Sequence, residues 1–418
     1  MPLSLEQLIG KNHIPGLSMA SISPNGEIVS QSAGVTNQNT AEPQSINNNT
    51  MFAAASLTKP VFSYIVLKMI ERGEFSRPGE TPLSGLDRPL YEICDFGPPH
   101  LRTDPNYKLL TARNILSHQA GLPNWFKPSE TEAYAATPET RFDYSGIAYC
   151  FLNEVVEHVA GKPLHELSQE VFDDLKMGHT RFVPYPEGSA EEKNRAIGHT
   201  TDGTALPPPT GPSSQPILAN PAASLGTTGE DYAKFLNACM HDQFIRTHMF
   251  APQTSLAGKD HKAIDAKVSP KTLQQMNWGL GIGLQTAANG DTIAFHWGDN
   301  EIYRAFTAIN LQTNKAAVCF TNSANGPAIF RQLVEPVVGD IQGISEWLSS
   351  RENLNIQLIT DSTETRVDPK TTLDYKTNLM QIKQSTSETK TTDLDQADDT
   401  QSSPPTPFKT TLKPSDAK

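Results

Sequence analysis

The sequence has little that would tie it to a metal, a membrane or a nucleic acid. Its 418 residues include only four cysteines, Cys94, Cys150, Cys239 and Cys319. They lie far apart, with no C-x-x-C and no paired rhythm. This argues against a disulfide frame or a zinc site and for reduced, buried thiols. No apolar run reaches 18 residues, so no transmembrane helix is expected. The opening "MPLSLEQLIGKNHIPG" has no cationic segment followed by an apolar stretch. No signal peptide is therefore expected, and the predicted location is cytoplasmic, with non-classical export left open by the polar C-terminal region. Basic residues are in deficit, for a net charge of −12. Residues 351–418 contribute −2 of it and the preceding 350 residues −10. With no basic block, neither nucleic acid nor an anionic membrane is an expected partner. There is no Gly-rich phosphate loop, zinc spacing or EF-hand loop, so no cofactor and no metal are predicted.

What is present divides the chain in two. Hydrophobic residues make up 37% of it and the mean hydropathy is −0.43, low for a chain that packs throughout. Residues 1–350 mix strand and helix signals. Residues 351–418 are rich in Thr, Ser, Asp, Gln and Lys and poor in aromatics. Ordering them would not recover the entropy cost, so they are predicted to form a disordered polar tail. "GLSMASIS" and "EIVSQSAG" flank Pro24-Asn25-Gly26, a hairpin signal. Near residue 300, "WGLGIGLQT", "DTIAFHW", "RAFTAIN" and "KAAVCFTN" predict a meander of three or four strands. Between them, "KPVFSYIVLKMIERG", "TARNILSHQ", "GIAYCFLNEVVEHVAG" and "GEDYAKFLNACM" read as helices. Gly73 is the expected stop of the first. The fold class predicted is α/β in the broad sense, α+β more strictly. One antiparallel sheet is closed by sequence-distant strands and flanked by helices, with an inserted helical lobe. "TALPPPTGPSSQP" reads as a surface loop in that lobe.

Three stretches carry candidate chemistry. In "MFAAASLTKPVF", Ser56 precedes Lys59 by three residues, and i and i+3 share a helix face. Serine is a favoured N-cap, and Ser-x-x-Lys by itself says little: Ser387/Lys390 and Ser415/Lys418 repeat it inside the polar tail. Lysine in a first helical turn, however, opposes the helix dipole at about 0.3–1 kcal/mol, where a capping box would carry Glu or Gln. If the site is partly buried, both effects favour a neutral amine able to take a hydroxyl proton. In "FDYSGIAYCFL", Tyr144 stands just before a helix and is either a packing residue or a proton-relaying phenol. In "IAFHWGDNEIYRAF", His296-Trp297-Gly298 ends a strand. The glycine would let a ligand approach the backbone, and the N–H of Asp299, with that of Ser56, could bind an oxyanion. The tryptophans Trp125, Trp278 and Trp297 are candidates to line an apolar pocket, with core packing the simpler reading of each.

Ser-x-x-Lys, then Tyr, then His-x-Gly on a late strand resembles the serine beta-lactamase-related superfamily. Its members include class C beta-lactamases, D-alanyl-D-alanine carboxypeptidases and family VIII esterases. "IPGLSMASI", "LLTARNILSHQAGLPNW" and "NPAASLGTTGEDYAKFL" are similar to further segments of that family, in the same order. The resemblance implies Ser56 as acyl-forming nucleophile, Lys59 as its proton-sharing partner, Tyr144 as base and His296 in the place often held by lysine. It implies the backbone of Ser56 and Asp299 as oxyanion hole, and Gly146, Trp125, Trp297 and Gly298 as substrate-binding positions. The family usually has Tyr-x-Asn, and position 146 is Gly here. That loss removes an amide-binding side chain and shifts the expectation toward hydrolysis or transfer of carboxylic esters. Beta-lactam or D-amino-acid peptide cleavage is the alternative within enzymes. A catalytically silent binding or scaffold member is the alternative outside them. The expected partner is a small ester or amide substrate. Asp299 is expected to turn its carboxylate away from the oxyanion site, and His118 to brace a turn.

Overall fold

The computed structural model describes residues 3–126, 131–182, 186, 188–206, 219–256 and 268–350. The tail assigned to 351–418 and most of the Pro-rich loop lie outside them. The elements, in order, are α1 (Leu5–Lys11), β1 (Gly16–Ile22), β2 (Ile28–Gly34), β3 (Phe52–Ala53), α2 (Thr58–Glu71), α3 (Ala112–Leu116), α4 (Gly146–Ala160), α5 (Leu164–Asp174) and α6 (Ala190–Lys193). There follow β4 (Gly226–Thr227), α7 (Gly229–His241), α8 (Gln243–Met249), β5 (Thr254–Ser255), α9 (Pro270–Gln275), β6 (Met276–Trp278), β7 (Gly283–Thr286), β8 (Thr292–Asp299), β9 (Arg304–Asn310), β10 (Lys315–Thr321), α10 (Pro327–Val338) and α11 (Gln342–Ser350). No described helix is long and apolar enough to cross a membrane.

Among the described residues, eight strands form one antiparallel sheet in the order β2-β1-β10-β9-β8-β7-β6-β5. The sheet is closed by strands from opposite ends of the sequence: Leu17 of β1 faces Thr321 of β10 and Ile22 faces Ala316. The β1–β2 hairpin turns where Pro24-Asn25-Gly26 predicts, with Gly26 at φ +83°. The late meander has one strand more than expected. "WGLGIGLQT" is cut into β6 and β7 by a tight turn at Gly279-Leu280-Gly281, where Gly281 takes φ +84°, a conformation that favours glycine.

Side-chain alternation divides the sheet between two cores. Ala20, Ala294, Ala305, Val318 and Phe320 face one side, with Phe62 and Leu67 of α2 and Phe235 of α7. Met19, Phe295, Trp297, Phe306 and Cys319 face the other, with Ile9 of α1, Phe330 of α10 and Trp347 of α11. Helix α2 is buried nearly all round, from Thr58 through Leu67, because it runs between the sheet and the helical lobe. In that position an apolar stripe on one face would not be enough. Gly73, at φ +75°, follows its end. All four cysteines carry free thiols. Cys239 and Cys319 are buried as expected, whereas Cys94 and Cys150 are partly exposed.

Candidate active site

Ser56 is not the cap of α2. It sits inside a single 3-10 turn, Ala55–Leu57, that precedes the helix; the cap position is Leu57, without a side-chain bond. The turn is strained. Ala55 adopts φ +49°, a left-handed conformation that costs an L-residue about 1–2 kcal/mol. Surrounding bonds hold it there. Thr58 Oγ1 donates to the Ala55 carbonyl (2.5 Å) and accepts from Leu225 N (3.1 Å), while Ala54 N donates to Leu225 O (2.8 Å) and Tyr232 Oη to Leu57 O (2.9 Å). The short pairing of β3 with β4 extends the brace. Backbone strain maintained by this many bonds is a feature associated with functional sites.

Lys59, in the first turn of α2, is 1% exposed. Its Nζ donates to Ser56 Oγ at 3.1 Å and to the Ala222 carbonyl at 2.9 Å. The same Nζ lies 4.7 Å from the centre of the Tyr144 ring and 5.8 Å from that of Tyr149. Ala222 belongs to the loop before β4, where Asn220 Oδ1 accepts from Ala222 N (2.8 Å) and fixes the turn. This loop was noticed in the sequence only as a family-like segment. A backbone carbonyl carries no residue-type signal, so its role as a lysine acceptor had none to offer.

Tyr144 stands just before α4, whose cap is Ser145; Ser145 Oγ accepts from Ala148 N at 3.0 Å. His118 braces this junction. It is fully buried, at φ +57°, and its Nδ1 accepts from Ser145 N (3.1 Å), while its carbonyl accepts from Asp143 N (2.7 Å). The His118 ring lies 4.3 Å from that of Tyr144.

His296, Gly298 and Asp299 come from the end of β8. His296 is buried and its Nδ1 donates to the Trp297 carbonyl at 2.8 Å; its ring lies 6.1 Å from that of Tyr144. Asn300 N donates to Tyr303 O across the β8–β9 turn, and Asp299 pairs with Arg304 one step back. Antiparallel ladders alternate, so the Asp299 N–H turns away from β9. On that other side the pairing with β7 has already ended at Phe295. The carboxylate of Asp299 is held by the Arg304 guanidinium, and its Oδ1 accepts from Glu301 N (2.8 Å).

Two expectations are corrected here. A Cβ on Gly298 would stand 2.4 Å from the Ala54 carbonyl oxygen and 3.3 Å from Ala55 Cβ. The missing side chain therefore makes room for the Ser56 turn and not for a ligand. Trp297 does not line a pocket with Gly298. It is 6% exposed, its ring packed 5.5 Å from that of Trp347 and 5.1 Å from that of Tyr144, so it backs the tyrosine instead of facing open space. Trp278 is likewise fully buried. Trp125 and Gly146 are in contact: a Cβ at position 146 would lie 2.6 Å from the Trp125 ring. Arg304 was not singled out from the sequence, since its partner is fixed only by the strand register.

This arrangement can be set beside known proteins. The chain is 24% identical over 245 residues to esterase EstB of Burkholderia gladioli, covering 49% of this chain and 58% of that one. It is 26% identical over 159 residues to a serogroup D FimD protein of Dichelobacter nodosus, covering 32% and 37%. The chain thus spans between about a third and three fifths of the length of the curated relatives it matches. The octameric penicillin-binding protein homologue of Pyrococcus abyssi has the same fold, with a TM-score of 0.59 and 18% identity over 78% of this chain and 74% of that one. The family model described as Beta-lactamase matches residues 4–334, from the cap of α1 into α10. That span takes in Ser56, Lys59, Tyr144 and His296 along with the whole sheet, and the chain accordingly belongs to the Beta-lactamase family.

Proposed function

We propose that the protein is a serine hydrolase that forms an acyl-enzyme on Ser56 and acts on carboxylic esters. The observation that carries this reading is the 3.1 Å bond between Lys59 Nζ and Ser56 Oγ, made by a lysine that is 1% exposed. Burial and the positive end of α2 both disfavour a charged amine. In the neutral amine the proposal requires, one N–H stays on the Ala222 carbonyl and the amine turns its lone pair to Ser56 Oγ, which becomes the donor along the same 3.1 Å line. In the proposed first step the proton of Ser56 passes to the Lys59–Tyr144 pair as Oγ attacks the carbonyl carbon. The tetrahedral oxyanion lies against the N–H groups of Ser56 and Asp299. His296 supports Tyr144 from β8. The alcohol leaves with a proton, and water activated by the same groups releases the acyl chain.

The ester preference rests on position 146, where a glycine under Trp125 offers no amide-binding side chain. The test is intact-protein mass after brief incubation with a fluorophosphonate and, separately, with a penicillin, on wild type and Ser56→Ala. A single fluorophosphonate adduct that vanishes in the variant, with no penicillin adduct, is the expected result. A stable penicilloyl adduct on Ser56 would move the reading toward beta-lactam or peptide chemistry. No adduct with either probe on folded protein would overturn the enzyme reading in favour of a binding role.

A further inference from the structure

One short loop, residues 220–225, makes three bonds to the segment that carries Ser56 and Lys59. Leu225 O accepts from Ala54 N (2.8 Å), Leu225 N donates to Thr58 Oγ1 (3.1 Å), and Ala222 O accepts from Lys59 Nζ (2.9 Å). The first two fix the backbone around Ser56. The third fixes the amine. A neutral amine has a single lone pair, and tying one N–H to a fixed carbonyl restricts where that lone pair can point.

Asn220 sets the shape of this loop. Its Oδ1 accepts from Ala222 N at 2.8 Å, an Asx turn across Pro221, whose ring presets φ and brings no N–H of its own. Its carbonyl accepts from Ala223 N (3.3 Å) and Ser224 N (3.2 Å), and its N–H donates to Ser224 Oγ (2.8 Å). The backbone N–H groups of residues 222, 223 and 224 thus all end on Asn220. The Ala222 carbonyl shares a peptide unit with the Ala223 N–H, and in a trans peptide the two point in opposite directions. Holding that N–H on Asn220 aims the Ala222 oxygen away from Asn220 and at Lys59. The loop also touches the other two segments of the site. Cys150 Sγ of α4 lies 4.0 Å from Asn220 Oδ1, and Asn300 Nδ2, just after β8, donates to Ala223 O at 3.5 Å.

We infer that Asn220 is a positioning residue for proton transfer: by folding its loop it aims the Ala222 carbonyl at the Lys59 amine, and so directs the amine's lone pair at Ser56. This rests on the hydrolase reading of Ser56. A misdirected base leaves substrate binding intact and slows the chemical step.

The experiment measures kcat and KM for p-nitrophenyl butyrate, the rate of fluorophosphonate labelling and the melting temperature of wild type, Asn220→Ala, Asn220→Gln and Asn220→Asp. Each enzyme is compared at the plateau of its own pH profile, so that the charge added by aspartate does not enter. Asn220→Ala is expected to lose about 10- to 100-fold in kcat and in labelling rate, with KM within about threefold of wild type and a melting temperature lower by only a few degrees. Asn220→Gln moves the amide one methylene away from the turn and should behave in the same way, which keeps the test open if Asn220→Ala does not fold. Asn220→Asp keeps an acceptor for Ala222 N and should restore kcat to within about fivefold of wild type. Full kcat in folded Asn220→Ala or Asn220→Gln would overturn the inference, and so would a folded Asn220→Asp no better than they are. In either case a labelled wild type leaves the hydrolase reading standing. A folded wild type that takes no label would overturn both.

Discussion

Arg304 holds the carboxylate of Asp299 at the end of β8, the same residue whose N–H turns away from β9 at the proposed oxyanion site. The arginine also donates Nε to the Glu301 carbonyl at 3.1 Å and is 8% exposed. An ionised carboxylate beside a developing oxyanion would oppose it. The pair removes that conflict by fixing the carboxylate on the guanidinium.

Arg304→Met should therefore slow acylation more than it unfolds the protein. We expect a kcat loss of about 10- to 100-fold, in the range seen for losing oxyanion stabilisation, and a stability loss of about 2–4 kcal/mol. The stability loss falls short of the upper end for breaking a wholly buried pair because Asp299 keeps some solvent. Asp299→Asn in the same chain should return much of the activity. Hydrolysis rates and chemical denaturation of both variants check this, and a double variant no better than Arg304→Met would count against it.

Gly298→Ala should disrupt the meeting of β8 with the Ser56 turn. The added methyl would stand 2.4 Å from the Ala54 carbonyl oxygen, and backbone cannot rotate aside as a flexible side chain can. We expect a loss of about 1–3 kcal/mol from overpacking and a fall in fluorophosphonate labelling rate of more than about 10-fold. Unchanged labelling at full stability would mean that the strand end plays no part in placing Ser56.

Lys59→Met should separate activity from stability. The Ala222 carbonyl would lose its donor, costing about 1–3 kcal/mol, while a buried amine would no longer need solvation. The two effects oppose each other, so a melting temperature within several degrees of wild type is expected. Turnover should fall by about 10³-fold or more. Calorimetry and ester hydrolysis on one preparation settle it. A lysine that matters only for packing would give the reverse pattern.

Stability should fall as the medium is acidified through the histidine range, with His199 contributing. This side chain is buried; its Nδ1–H donates to Asn322 O at 3.0 Å and its Nε2 accepts from Gln38 N at 3.3 Å. Burial lowers its pKa below the ordinary value near 6.5. The folded state thus binds this proton less readily than the unfolded state. The contribution is fully present above pH 6.5 and lost as pH falls below it toward the folded-state pKa. Melting temperatures of wild type and His199→Gln between pH 5 and 7.5 should converge toward acid. Parallel curves would remove His199 from the account.

The sequence by itself determined several of the elements and their kinds, though not α1, α5, α8, α10 or α11 nor the short strands β3, β4 and β5. Apolar spacing and turn residues are local, so the β1–β2 hairpin, α2 with its glycine stop and α4 were readable without knowing their neighbours. Ser56, Lys59, Tyr144 and His296 were legible as candidates because their side chains carry chemistry at a recognisable spacing and order. Tertiary structure decided what those residues face. It placed the Ala222 carbonyl, more than 160 positions from Lys59, on the lysine amine, and Arg304 on Asp299 through strand register. It packed the Trp297 ring between those of Tyr144 and Trp347, and it gave the space beside Gly298 to the nucleophile's own turn. Each of these depends on distances between segments remote in sequence, fixed only when both cores pack against the sheet, and a pattern along one chain carries no record of them.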